Sequence, residues 1–387
     1  MTTIRRVLTL QIPLRAFIIC MDTGIISVLI RNLPYDFRGR NIISTIWFVA
    51  NLVLWLFLFL HLLVRFIVSP RKTFKKVALE KDELLCLPAI SISLTTLYEM
   101  IASTCGPWNY HWYLFSYVLW WITSFISFLF GAMIPFNSTE YRILSLGDLE
   151  PTMLLSGITA LTSATGGGYL SLHTQLSPAQ KVPMIIVSYI LLGYGMVAAM
   201  IMSTLVFARL YLSGMPPKVK VPGAFVLVGP FGQAAFAFES LGKAVMQGTF
   251  AKYDAGTFIT GQTATTIGVV GVLNGLLLYG AGFLFFLFAI LRMMRATLSR
   301  NQPKRGLPFS LSWWSIIFPV GVWTSAAERF GTNMDSDPWR VWSTICVMGL
   351  VLVWFVTATF TLLHLFGMRK SAPDNSERPQ SQEMAHA

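Results

Sequence analysis

The chain has 387 residues, 55% of them hydrophobic and only 12% charged, with a mean hydropathy of +0.63. No ordinary soluble domain reaches those values, so a cytosolic enzyme fold is excluded and a membrane protein is indicated. The net charge of +12 would suit a nucleic-acid partner if it were gathered in one patch, but it is scattered over the ends of apolar segments, which points to membrane topology instead.

Taken in chain order, ten apolar segments alternate in kind. Those at 11–31, 84–104, 149–169, 219–246 and 310–330 carry proline: Pro13, Pro88, Pro151, Pro222 with Pro230, and Pro319. Those at 41–67, 110–134, 181–212, 263–296 and 338–367 contain only Pro183 and Pro338, both at a helix start, where proline costs least. Each segment is long enough to cross a hydrocarbon core about 30 Å thick. A proline in lipid frees a backbone carbonyl, so it is tolerated mainly where the helix faces protein or a water-filled cavity. The expected fold is an all-α integral membrane protein: ten transmembrane helices as five helical hairpins around a central pore, the odd helices inside. It occupies residues 1–370, and the polar stretch 371–387 is expected to be a disordered cytosolic tail.

If both termini are cytosolic, the inward ends and loops hold 17 basic residues and the outward ends 8, with Arg71, Lys72, Lys75, Lys76 and Lys81 forming the densest inward run. The positive-inside rule therefore predicts cytosolic termini, and the sequon Asn137-Ser138-Thr139 should be unmodified. Pro13 and Arg15 interrupt the first segment, so it reads as an uncleaved helix. Cys20, Cys86, Cys105 and Cys346 stand in separate segments without metal-type spacing, and His61 and His364 are isolated; no metal site, cofactor or enzyme activity is expected. Gly166, Gly167 and Gly168 follow an apolar helix with no Lys-Ser/Thr behind them, so they read as a helix-ending turn instead of a phosphate loop. Trp108, Trp112, Trp120 and Trp121 read as interfacial anchors and packing residues.

Acids inside spans usually mark function. Asp22, Glu99, Glu239 and Glu328 all lie on proline-bearing segments, while the interiors of the other five have none, which supports an aqueous path between the odd helices. The bland alternative is that they pair with Arg15, Arg329 or backbone donors.

Four motifs then carry a resemblance. FSLSWWSIIFPVG (309–321), MDTGIISVLIRNLPY (21–35), GPFGQ (229–233) and Leu119-Trp120-Trp121 together resemble the tellurite-resistance/dicarboxylate transporter family, which includes TehA-type channels, plant slow anion channels, and fungal malate and sulfite carriers. The fungal sulfite efflux pumps match best, and the likeness spans all ten segments. It implies a ring of five hairpins, often trimeric with one pore per subunit, and a pore plugged by the Phe before the ninth-helix proline, here Phe318 before Pro319. A single ring can close a narrow pore by dewetting, and the proline gives its helix local slack. Relatives usually carry a small residue where this chain has Asp22. Thr23, Ser93, Thr95, Thr162 and Gln233 could supply neutral donors for an anion, with Asp22 and Glu99 as titratable groups along the path. The resemblance thus points to a plasma-membrane exporter of sulfite or bisulfite, with one pore per subunit of a homotrimer; a malate-type permease and a gated chloride or nitrate channel are the alternatives.

Overall fold

The computed structural model describes residues 12–214, 216–298, 307–365 and 367. The expected tail at 371–387 and the basic residues Arg5, Arg6, Arg300, Lys304, Arg305, Arg369, Lys370 and Arg378 lie outside the described residues. The longer helices are α1 (Phe17–Asn32), α2 (Arg40–Val68), α3 (Pro88–Thr104), α4 (Tyr110–Glu140), α5 (Leu155–His173), α6 (Pro178–Ser213), α7 (Gly229–Ala244), α8 (Gly261–Leu298), α9 (Ile317–Asn333) and α10 (Asp337–Leu365). Among the described residues no β-strand forms.

Seven stretches are long and apolar enough to cross a membrane: Arg40–Val68, Lys81–Thr104, Tyr110–Glu140, Pro178–Ser213, Lys218–Tyr253, Gly261–Leu298 and Asp337–His364. The chain is a multi-pass membrane protein. Helices α1 and α9 are short, at 16 and 17 residues, and α5 is diluted by Gly, Ser and Thr, so none of the three meets that measure by itself. The seven stretches fall into two kinds. Lys81–Thr104 and Lys218–Tyr253 are 83% buried, whereas the other five are 22–39% buried. The latter turn rows of apolar side chains outward, such as Ile42, Ile46, Val49 and Val53 on α2, a surface suited to lipid rather than water.

The prolines mark irregular helix starts rather than mid-span breaks. Pro13 precedes a 3-10 turn at Leu14–Ala16; Pro88 opens α3 after the short helix Lys81–Cys86; Pro151 opens a 3-10 turn leading into α5. A 3-10 run at Lys218–Val228 contains Pro222 and delivers the chain to Pro230, the second residue of α7. Another at Leu311–Ile316 leads into α9, where Pro319 is the third residue. At the helix starts the missing amide hydrogen had no helical partner to lose; Pro222 alone of these lies inside its 3-10 run. One expectation fails on the other class: α4 runs past residue 134, through Pro135, to Glu140. Proline removes a single amide donor, and the following turn continues with Tyr141 N–H bonding Asn137 O at 3.0 Å.

Helices α1, α3, α5, α7 and α9 pack each on the next, and α9 packs back on α1. A glycine stands at every seam of this circuit. A Cβ on Gly24 would fall 2.0 Å from Thr96 Oγ1, on Gly166 1.9 Å from the Tyr98 hydroxyl, on Gly168 2.8 Å from Ser240 Cβ, on Gly232 2.5 Å from Trp323 Cα, and on Gly321 2.8 Å from Ile25 Cγ1. Small residues let backbones approach where lipid gives helices no hydrophobic drive to associate. This overturns the reading of Gly166–Gly168 as a helix-ending turn: all three lie inside α5, and Gly167 meets Ser188 of α6. Close packing on three neighbours outweighs their weak helix propensity.

Polar side chains join the same seams. Ser127 of α4 bonds Ser91 of α3 (2.9 Å) and Thr159 and Ser163 of α5 (2.9 and 2.8 Å), and Trp120 Nε1 donates to Ser163 O (2.8 Å). Buried hydroxyls with partners specify register without leaving a desolvated donor.

Candidate functional site

Two motifs far apart in the chain meet at the beginning of α9. The amide of Phe318, second residue of the helix, is one of the donors a helix start leaves without an internal acceptor, and Ile316 before it supplies no side-chain cap. Asp22, near the middle of α1 and fully buried, fills that role from outside: its Oδ1 accepts from Phe318 N at 2.8 Å. A carboxylate at a helix N-terminus also meets the positive end of the helix dipole. Its Oδ2 has no hydrogen-bond partner among the described residues. The Phe318 ring is 2% exposed. Beside it, a Cβ on Gly229 would sit 3.5 Å from Pro319 Cβ, so the GPFGQ and FPVG motifs face each other.

The remaining sequence-named residues divide. Thr23 and Ser93 turn to outer helices: Thr23 Oγ1 donates to Ile19 O (2.7 Å) and accepts from Trp354 Nε1 of α10 (3.1 Å), while Ser93 Oγ donates to Ala89 O (2.7 Å) and accepts from Trp55 Nε1 of α2 (3.0 Å). Successive residues of a helix point about 100° apart, so Thr23 cannot share Asp22's direction. Thr95 and Thr162 spend their hydroxyl hydrogens on Ser91 O (3.2 Å) and Ile158 O (2.8 Å). Gln233 is buried with Oε1 lacking a partner. The structure thus brings Asp22, Phe318 and Pro319 together and leaves Glu99 elsewhere, toward the C-terminal ends of these helices.

Those ends form a second polar centre that the sequence reading named only in part. Arg329 Nη2 donates to His173 Nε2 at 3.2 Å, and its guanidinium lies 5.7 Å from the Phe236 ring centre. His173 Nδ1 lies 2.9 Å from Tyr169 O; that carbonyl can only accept, so Nδ1 carries the hydrogen and Nε2 is the acceptor. Glu99, Glu239, Glu328 and Tyr169 are all within electrostatic reach of Arg329. None forms a direct ion pair with it; Glu239 Oε2 accepts from Asn333 Nδ2 (3.1 Å), while Glu239 Oε1 and Glu328 Oε1 have no partner among the described residues. His173 lies beyond the fifth segment as read from the sequence, which stops at residue 169, one turn short of the helix end. Its i, i+4 relation to Tyr169 was the available signal.

The opposite end is laced with ion pairs. Glu83 is buried against Arg65 (3.6 Å), and Lys81 bridges Asp148 (3.0 Å) and Glu150 (3.5 Å), the latter also bound by Lys220 (2.9 Å). In the loop, hydrogen bonds from Ser145 and Lys81 hold the Asp148 carboxyl down at about 2. Part of the basic run at 71–81 is thereby neutralised: Lys76 pairs with Glu80 (3.6 Å). Among the described residues no group of three or more His, Cys, Asp or Glu could hold a metal ion.

The family model described as SLAC1, voltage-dependent anion channel, matches residues 11–362. The chain belongs to this voltage-dependent anion channel family. It is 25% identical over 347 residues to the sulfite efflux pump SSU1 of Arthroderma otae, covering 89% of this chain and 88% of that protein. It is 22% identical over 409 residues to the sulfite efflux pump SSU1 of Saccharomyces cerevisiae, covering 94% and 89%, and 21% identical over 351 residues to the malic acid transport protein of Schizosaccharomyces pombe, covering 89% and 77%. The voltage-dependent anion channel match contains both polar centres, from Asp22 to Asn333. Members of the family are anion transporters or channels, and this chain is a member in the membrane.

Proposed function

We propose that the protein is a plasma-membrane exporter of sulfite or bisulfite that confers sulfite tolerance, with a path enclosed by α1, α3, α5, α7 and α9 and closed by the Phe318 ring. In this reading the ten helices all cross the membrane as five hairpins, both termini are cytosolic, residues 1–370 form one transporter domain, and the assembly is a homotrimer with a pore in each subunit. The observation that carries it is the clamp at the start of α9: a buried aromatic ring whose amide is held by a carboxylate on the first helix. Loss of that bond frees the helix start to reorient, and the neighbouring Pro319 has no amide hydrogen to tie it back. The sulfite assignment rests on the likeness to sulfite efflux pumps over most of the chain.

A dicarboxylate such as malate is the second reading, favoured by the likeness to the malic acid transport protein; a gated chloride or nitrate channel is the third, compatible with a family described as anion channels. Purified protein in liposomes, tested for sulfite, malate and chloride flux with and without a pH gradient, separates them. Sulfite flux exceeding the other two supports the proposal. Malate or chloride flux without sulfite flux contradicts it.

A further inference from the structure

A polar cavity of about 220 Å³ opens among the C-terminal ends of α1, α3 and α5, walled by Arg31, Asn32, Ser103, Tyr113, Tyr169 and His173. One ordered water needs only roughly 10–15 Å³ of such space, so the cavity has room for a small polyatomic ion with its hydration. Three features of its wall are independent of one another. Arg31 reaches across from α1 and donates from Nη2 to Ser103 O at 2.7 Å, which orients a guanidinium that still has other N–H donors. The Tyr169 hydroxyl, on a fully buried side chain, has no hydrogen-bond partner among the described residues. His173 has both ring nitrogens engaged, one on Tyr169 O and one by Arg329, so it is a neutral wall that holds a second guanidinium close behind.

Arg31 is the charged residue in the wall, and further charges stand around it, with Glu99, Glu239 and Glu328 opposing Arg329. Arg329, Lys243 and Lys181 are within reach of His173, from α9, α7 and the start of α6. Arg31 and Arg329 are within reach of Tyr169, with Glu99 of α3 the opposing carboxyl. Lys181 Nζ is itself held by Thr174 O at 2.8 Å, just past the end of α5. A buried hydroxyl without a partner beside a half-buried, oriented guanidinium suits an anion with several acceptor oxygens.

We infer that this cavity is a binding site for a small oxyanion of the sulfite class, with Arg31 and the Tyr169 hydroxyl as its direct donors. Under the transport reading above, on which the choice of ion rests, it is a station at one end of the path, separate from the Phe318 clamp.

The test is calorimetric titration of the purified full-length protein in detergent with sodium sulfite and, separately, sodium sulfate, for wild type, Tyr169→Phe, Arg31→Gln and Arg31→Lys. Tyr169→Phe removes a single oxygen that meets no partner at hydrogen-bond geometry and has only a weaker polar contact with Ser103, so the fold is kept. A hydrogen bond to an anion is lost with it, which corresponds to about a tenfold weaker affinity. Arg31→Gln should weaken binding at least as much, and Arg31→Lys less, since the charge is kept but the fork is not. Wild-type affinity in both Tyr169→Phe and Arg31→Gln, or no binding to wild type, overturns the site. If binding follows the expected pattern while liposomes show no sulfite flux, the transport reading falls and the site stands; unchanged binding with sulfite flux intact does the reverse.

Discussion

Asp22 and Phe318 are 296 positions apart, yet one carboxylate oxygen and one amide hydrogen join the first helix to the ninth. Asparagine keeps an acceptor at that place and removes the charge, whereas alanine removes both. Asp22→Asn should therefore keep the closed state and alter how sulfite flux depends on pH, while Asp22→Ala should leave α9 without its cap, at a cost of about 0.5–2 kcal/mol, and raise basal flux. Glu99→Gln, within reach of Arg329, should likewise shift the flux versus pH curve. Efflux from liposomes between pH 5 and 8 checks all three, and wild-type profiles in Asp22→Asn and Glu99→Gln would assign these acids a purely structural part. Asp148 is the contrast. Its carboxyl is held at about 2 against an ordinary 3.8, so its pairing contributes stability above pH 4 and loses it only as pH falls toward 2. Asp148→Asn should lower thermal stability by the same amount at pH 5 and pH 8 and leave the shape of the flux curve unchanged.

At the scale of elements, the glycine seams decide how closely the inner helices approach. Gly232 faces the backbone of Trp323, which cannot swing aside as a side-chain tip could: a Cβ would lie 2.6 Å from Trp323 N. Gly232→Ala should destabilise the protein by about 1–3 kcal/mol through overpacking, read as a lower melting temperature in detergent. Gly280→Ala on α8, where nothing lies within 4 Å, should be neutral or slightly stabilising, since alanine is the better helix former. Much of this level was legible in the sequence. The alternation of proline-bearing and proline-poor segments separated the buried helices from those that expose apolar faces, because proline tolerance and lipid contact are local properties of a segment. The glycine triplet misled for the opposite reason: whether Gly166–Gly168 end a helix or seat it against Tyr98, Ser188 and Ser240 depends on partners about 20 to 70 residues away, which no local pattern records. The site was legible in the same proportion. Asp22, Phe318 and Pro319 stood out by type and motif, but that Thr23 and Ser93 turn to Trp354 and Trp55 depends on helix rotation, which packing sets.

For the whole molecule, the N-terminal ends of the inner helices gather at a face bound by ion pairs, among them Lys81 with Asp148 and Lys220 with Glu150, and their C-terminal ends at the face holding Arg31, His173 and Arg329. The proposed topology, drawn from the positive-inside rule, puts the first face in the cytosol. Tagged termini should be protected from external protease, and Asn137, near the end of α4, should carry no glycan after expression in a glycosylating host. A terminus cleaved from outside would invert the proposed direction of the path and place the oxyanion cavity on the cytosolic side.

The account centres on Phe318 as the closing element, and the most direct measurement is sulfite efflux from liposomes carrying wild type or Phe318→Ala at equal reconstituted amounts. The account predicts a basal leak in the variant well above wild type, with sulfite still preferred. A correctly folded Phe318→Ala protein whose basal efflux equals that of wild type would contradict it.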